Sequence, residues 1–224
     1  MTTLEIKGSI PAIVTNKDGL YDGDLVGYFR AVFNHAENLC NPYHNFRHMC
    51  HVLWLCYEAS VFYVEMSSRD MRNLLIAALF HDFDHTGRSD PDAANIKRAI
   101  DGLRRHLLPE DKRELGKIEA IIRATEFPYR VSLERLDLQS QIIRDADMSQ
   151  ALTVAWIQQV VFGLATEWKR TPLEVLRAQD PFHRNLKLHT AWARQMFPQA
   201  AIESKIAEAN ELVELLSGEP VAAA

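Results

Sequence analysis

His81-Asp82-Phe83-Asp84-His85-Thr86-Gly87 is the stretch that decides how the chain is read. It follows an apolar run, Leu74 to Phe80, with the character of a buried helix. Four ionisable side chains in five positions are costly beside a core unless they are paired or hold a metal. His81 and His85 are four apart and share a helix face if the helix extends that far. The pattern predicts a metal site at a helix C-terminus, with Gly87 as the stop.

Upstream, Leu25, Tyr28, Phe29, Val32, Phe33, Ala36 and Leu39 recur at helical spacing in a helix that begins at Asp22 or Asp24. It stops before Asn41-Pro42, because proline disfavours helix in its predecessor. Asn41 to His48 then opens a long apolar helix through about Met66, with His44 and His48 again four apart. Ser67 or Ser68 caps the next helix, which runs from about Arg69 to Asp82. Downstream, Asp90-Pro91-Asp92 reads as an N-cap and first turn, and Pro109-Glu110-Asp111 as another helix start that ends near Thr125, before Phe127-Pro128. Ser132 begins the segment leading to Arg144-Asp145-Ala146-Asp147-Met148-Ser149. Further helices are predicted at about 150–168, 172–179, 182–196 and 199–216. No stretch shows sustained period-two alternation, and no internal repeat is present. The expectation is an all-α fold. A single compact domain spans residues 1–224, with about nine or ten helices, a central metal site, an irregular lead-in over 1–20 and a frayed tail over 217–224.

Of the 224 residues, 47% are hydrophobic and 25% charged, as in ordinary globular domains. The net charge of −5 argues against a nucleic-acid-binding surface. Cys40, Cys50 and Cys56 are an odd number without paired spacing, and read as reduced core thiols. Neither a signal peptide nor an apolar run of about 20 residues is evident, so a cytoplasmic protein without a membrane span is expected.

His48, His81, Asp82 and Asp147 bring imidazole nitrogen and carboxylate oxygen from three predicted helices. That donor set suits zinc, manganese, iron or magnesium. A carboxylate at Asp82 can bridge two metals about 3.5–4 Å apart, the arrangement that clamps a phosphoryl displacement. Asp145 is a rival to Asp147; two apart, they do not share a helix face. His51, His106, His183 and His189 fall in no such block. Trp54, Trp156, Trp168 and Trp192 read as core, and the basic run Arg104-Arg105-His106 with Lys112 and Arg113 reads as a solvated helix face.

Four blocks in order resemble the HD-domain metal-dependent phosphohydrolase superfamily, and within it the catalytic domain of class I cyclic nucleotide phosphodiesterases. They are Tyr43-His44-Asn45 with His48, then His81-Asp82-x-Asp84-His85-x-Gly87, then Ala124-Thr125, then Ala146-Asp147-Met148-Ser149. Together they span residues 43–149, about half of the chain. The resemblance implies that His48, His81, Asp82 and Asp147 hold a metal and that Asp82 bridges to a second one. A hydroxide between the metals would attack phosphorus, with His44 as general acid to the departing oxygen. Asn45, Asp84 and His85 would orient ligands and substrate. The family's late Gln-x-x-Phe purine grip is spelled here by Gln179-Asp180-Pro181-Phe182, but soon after Asp147 and at a helix boundary. The chain is also shorter than those catalytic domains. The expected function is hydrolysis of a phosphoester, a diester of a small nucleotide-like molecule before a monoester, with two divalent ions as cofactors. A di-iron oxygenase and a non-catalytic, metal-stabilised regulatory module are the alternatives from other classes.

Overall fold

The helix that ends at the quoted stretch, α4 (Ser68–Phe80), is the axis around which the rest packs. The Ser67 hydroxyl caps it by accepting from the Asp70 amide at 3.0 Å. Ten consecutive residues, Met71 to Phe80, are buried, so α4 has no solvent face. Two of them are polar: Arg72 is paired, and Asn73 is paired through its Nδ2 while its Oδ1 has no partner. The Arg72 guanidinium donates to both Asp111 carboxylate oxygens at 2.7 and 2.9 Å and to the Asp22 and Asp24 carbonyls. Asn73 donates to Glu114 at 2.9 Å. Burial without such partners would cost several kcal/mol, on the order of 2–7 for each polar group.

The computed structural model describes residues 8–88 and 91–218. Before α4 come α1 (Ile10–Val14), α2 (Val26–His35) and α3 (Phe46–Phe62); after it come α5 (Ala93–His106), α6 (Leu115–Arg123) and α7 (Leu138–Met148). α2, α3, α5, α6 and α7 all lie against α4. Their inward side chains, with Trp192 and Ala193, form the larger hydrophobic cluster. Beyond α7 the chain makes a 3₁₀ turn (Ser149–Leu152) and a π-helical turn (Ile157–Phe162) that leads into α8 (Gly163–Trp168). α9 (Pro172–Arg177), α10 (Gln179–Asn185), α11 (Ala191–Met196) and α12 (Gln199–Ser217) follow. Trp156, Val160, Leu164, Val175, Leu176 and Ala209 form a second, smaller cluster. The described residues contain no strand, in agreement with the all-α expectation, and none of their helices is long and apolar enough to cross a membrane.

The boundaries depart from expectation where a remote partner intervenes. The helix expected over 182–196 is two helices, because the buried Asp145 carboxylate draws residues 189–190 out of helical pairing. It accepts from the His189 amide at 2.9 Å, and from the Thr190 amide and hydroxyl at 2.7 Å each. The helix expected over 150–168 is broken by the 3₁₀ and π turns. Within the expected irregular lead-in, Ile10–Val14 is helical, capped by Ser9. The Asp90 cap, residues 1–7 and residues 219–224 lie outside the described residues; α5 takes Asp92 as its N-cap residue, without a side-chain bond. Ser217 still belongs to α12, which closes on Gly218 at φ 71°.

Candidate metal centre and pocket

Two chain reversals bring the histidine blocks together. Asn45 caps α3: its Oδ1 accepts from the His48 amide at 3.1 Å, and its Nδ2 donates to the Asn41 carbonyl at 2.8 Å. This fixes His48 in the first turn of α3. α4 ends at Phe80, and the chain turns through His81–Asp84. Asp84 and Gly87 have left-handed backbones, at φ 60° and 67°. A buried asparagine, Asn38, staples the two reversals. Its Nδ2 donates to the carbonyls of His44 and Asp82 at 2.8 Å each, and its Oδ1 accepts from the Asp84 amide at 3.0 Å.

The result is a tight group of donor atoms. His48 Nε2 lies 3.0 Å from Asp147 Oδ1, 3.3 Å from His81 Nε2 and 3.4 Å from Asp82 Oδ2. His81 Nε2 lies 3.4 Å from Asp82 Oδ2 and 3.8 Å from Asp147 Oδ1. Metal bonds of about 2.1 Å place neighbouring donors about 3.0 Å apart at right angles and about 3.4 Å apart in a tetrahedron, so these separations fit a divalent ion. Asp82 Oδ2 is buried and accepts no hydrogen bond, a costly state that a cation would relieve. The far ring nitrogens set the tautomers. His48 Nδ1 donates to Gln150 Oε1 at 2.8 Å and His81 Nδ1 to the Ala78 carbonyl at 2.8 Å, which turns both Nε2 lone pairs inward. Gln150 is itself held by Gln159. Burial works to lower the His81 pKa, but the Asp82 and Asp147 carboxylates outweigh it and push it up to about 9. Burial works to raise that of Asp82, yet His81 and His44 hold it well below the usual carboxylate range. The carboxylates thus draw positive charge to this spot, and a metal can stand where that proton would. His48, His81 and Asp147 therefore form a group able to hold a metal, with Asp82 beside it.

His44 stands at the edge of this cluster. Its Nδ1 is 2.7 Å from Glu167 Oε2, while Glu167 Oε1 accepts from the Tyr43 and His44 amides at 2.8 Å each. α8 can bring Glu167 so close because Gly163 lies against this loop; a Cβ there would meet the Pro42 carbonyl at 3.0 Å. Burial works to lower the His44 pKa, but the hydrogen bond to Glu167 and the nearby carboxylates raise it on balance. His85 stacks on His44 with ring centroids 3.7 Å apart. Its Nδ1 accepts from the Gly87 amide at 3.0 Å, and burial holds its own pKa down at about 4, so it stacks as a neutral ring.

His44, Asp82, His85 and Asp147 open onto a pocket of about 670 Å³, within the usual range for small-molecule sites. Its far wall comes from the second hydrophobic cluster, through Val160, Leu164, Trp168 and Phe182, together with the Gln179 amide. The helix boundary expected between Gln179 and Phe182 is absent, since both lie on α10 and both face the pocket. Trp168, expected in the core, also lines it, as does Thr125 of the Ala-Thr pair. Asp84 turns its carboxylate elsewhere, accepting from the Glu37 amide and the Arg105 guanidinium at 2.9 Å each. Asp145 is spent on the His189 and Thr190 amides and the Thr190 hydroxyl, just before α11, and does not join the donor group. His183 lies close to the Gln179 and Ala151 carbonyls, and His106 stacks on His35. Asn38, Gln150 and Glu167 were not singled out from the sequence, because each acts through a partner far along the chain.

Residues 43–101 match the family model for 3'5'-cyclic nucleotide phosphodiesterase. The matched stretch carries the Tyr43–His48 and His81–Gly87 blocks; Asp147, Glu167 and Gln179 lie beyond it. Over this stretch the chain is similar to that family. No curated protein matches the chain.

Proposed function

We propose that the protein is a metal-dependent phosphohydrolase that cleaves a phosphodiester in a small nucleotide-like molecule. One observation carries this reading: a donor group fit for a divalent ion and a carboxylate-backed histidine open onto one pocket. His48, His81, Asp82 and Asp147 would hold the metal, and Asp82, at the pocket wall, is the residue able to share a second one. When bound, such ions supply Lewis-acid activation of water and neutralise phosphoryl oxygens. The protein's own groups do the rest. With Nδ1 committed to Glu167, His44 has Nε2 left for the substrate. In its protonated state it gives that proton to the departing oxygen, and Glu167 stabilises the charge it holds beforehand. The neutral His85 ring fixes the plane of His44. Tyr43, Leu164 and Trp168 make the pocket wall apolar and limit water around the leaving group.

Gln179 and Phe182 support a planar base as the other half of the substrate. They lie three positions apart on α10, both line the pocket, and Gln179 Oε1 is buried without a hydrogen-bond partner. An N–H of a base would satisfy that oxygen while its face meets the phenyl ring.

The test is hydrolysis of bis-p-nitrophenyl phosphate against p-nitrophenyl phosphate by metal-stripped protein reloaded separately with manganese, magnesium, zinc and iron. Metal-dependent cleavage of the diester, lost in Asp82→Ala, is the expected result. Cleavage of the monoester alone would replace this reading with a nucleotidase. No cleavage by protein that demonstrably binds metal would overturn it.

A further inference from the structure

Outside the donor group the pocket lining holds two guanidiniums and two carboxylates, Asp92 and Glu126, and Asp92 is engaged by the Phe127 amide at 2.8 Å. The guanidiniums are those of Arg88 and Arg130. Arg88 follows Gly87, whose α-carbon packs so close to Glu167 that a Cβ there would lie 3.3 Å from the carboxylate carbon. This places Arg88 just beyond the His44–Glu167 pair. Its side chain is exposed, and among the described residues no carboxylate lies within ion-pairing distance of it. Among the described residues Arg130 pairs with Glu126 alone, at 3.4 Å on a largely exposed side chain. The other basic patch is different. On α5, Arg104 is bound to Glu119 at 2.6 Å and Arg105 to Asp84 at 2.9 Å, so that patch is already neutralised.

A cyclic nucleotide carries one anionic group, its scissile phosphate, and the metal ligands claim it. Such a substrate would leave Arg88 facing uncharged sugar or base. We propose, on the footing of the phosphodiesterase reading above, that the substrate is a linear phosphodiester bearing a second, terminal phosphate, and that Arg88 binds this group with Arg130 in support. A guanidinium presents paired N–H donors that match a phosphate dianion, whereas the metal centre needs no such help with a monoanionic diester. Because Arg88 is exposed, solvent screens the contact, and the gain is set near the lower end for charged hydrogen bonds, about tenfold.

The test compares a linear dinucleotide with and without a 5'-phosphate, on wild type, Arg88→Ala and Arg88→Lys. Steady-state kinetics are read beside calorimetric binding of the corresponding non-hydrolysable phosphorothioate pair. Wild type is expected to favour the 5'-phosphorylated dinucleotide by about tenfold or more, mostly through KM and with the same preference in binding. Arg88→Ala is expected to bring the ratio near one, and Arg88→Lys to keep part of it. Equal kcat/KM and equal binding for the two dinucleotides in wild type, no detectable binding of either analogue, or an unchanged ratio in Arg88→Ala, each overturns the proposal. Failure of the diesterase reading looks different: neither dinucleotide nor bis-p-nitrophenyl phosphate is cut. A persisting binding preference would then still establish the anion site.

Discussion

Gln150 touches no substrate, yet it holds the His48 ring by the Nδ1 hydrogen and is itself held by Gln159. Gln150→Ala is expected to weaken metal binding about 10–100-fold, as measured by competition with a chromogenic chelator. His44→Ala should leave metal content unchanged and lower kcat on a nucleotide diester by about 10²–10⁴. Its loss on bis-p-nitrophenyl phosphate should be smaller, because that leaving group needs little protonation. The Glu167 partnership fixes the sign of a pH effect. The acid form of His44 is the working form, so activity falls as pH rises through its pKa, and Glu167 raises that pKa. Glu167→Gln is therefore expected to move the alkaline limb of kcat/KM to lower pH; an unmoved limb would show that His44 is not the group being titrated. That His48, His81, Asp82 and Asp147 come together was legible because costly polar groups abut apolar helices at short, fixed spacings. Glu167 and Asn38 were not: a lone carboxylate on a short amphipathic helix and an asparagine before a loop have ordinary local readings, and only the tertiary fold gives them partners.

Among the elements, the packing of α5 on the turn after α4 is the most exacting. A Cβ on Gly102 would sit 2.4 Å from a Phe83 ring carbon, and that ring is fully buried and stacked on Phe80. Gly102→Ala is expected to cost about 1–3 kcal/mol in denaturant unfolding, and to weaken metal binding, because Phe83 adjoins Asp82. Gly116, exposed in α6 with nothing within 4 Å of its added Cβ, is the opposite case; Gly116→Ala should stabilise by about 0.5–1 kcal/mol. Helix periods and caps placed α4 closely, because that helix obeys its local signals; α2 and α3 were expected as helices but end earlier than expected, at His35 and Phe62, and α7 was expected only as a segment after Ser132. Apolar spacing is blind to the turns that split 150–168 and 182–196. There the decisive group is remote, as Asp145 is for residues 189–190, or the irregular turns are shaped by the second hydrophobic cluster.

For the molecule as a whole, α4 ties a structural ion pair at one end to the donor group at the other. Arg72 and His81 are nine residues apart, about 13 Å along a helix. Asp111→Ala would leave Arg72 buried and unpaired, and is expected to cost about 3–5 kcal/mol in urea unfolding while metal affinity, measured on folded protein, stays unchanged. Saturating metal should act from the other end, adding about 4 kcal/mol at a thousandfold excess over Kd and raising Tm; chelation should reverse this. The all-α class followed from the absence of alternating segments. The division into two hydrophobic clusters that meet at the pocket did not, since no break in composition marks it. That α4 is buried on every side also constrains how the chain is made. As it leaves the ribosome, α4 appears with α2 and α3 already out but before α5, α6 and α7 exist to cover it, and His81 is displayed long before Asp147. During that interval the nascent chain presents an uncovered greasy rod tipped with an incomplete ligand set, so synthesis passes through a stage that calls for a chaperone's shelter and rewards metal arriving late.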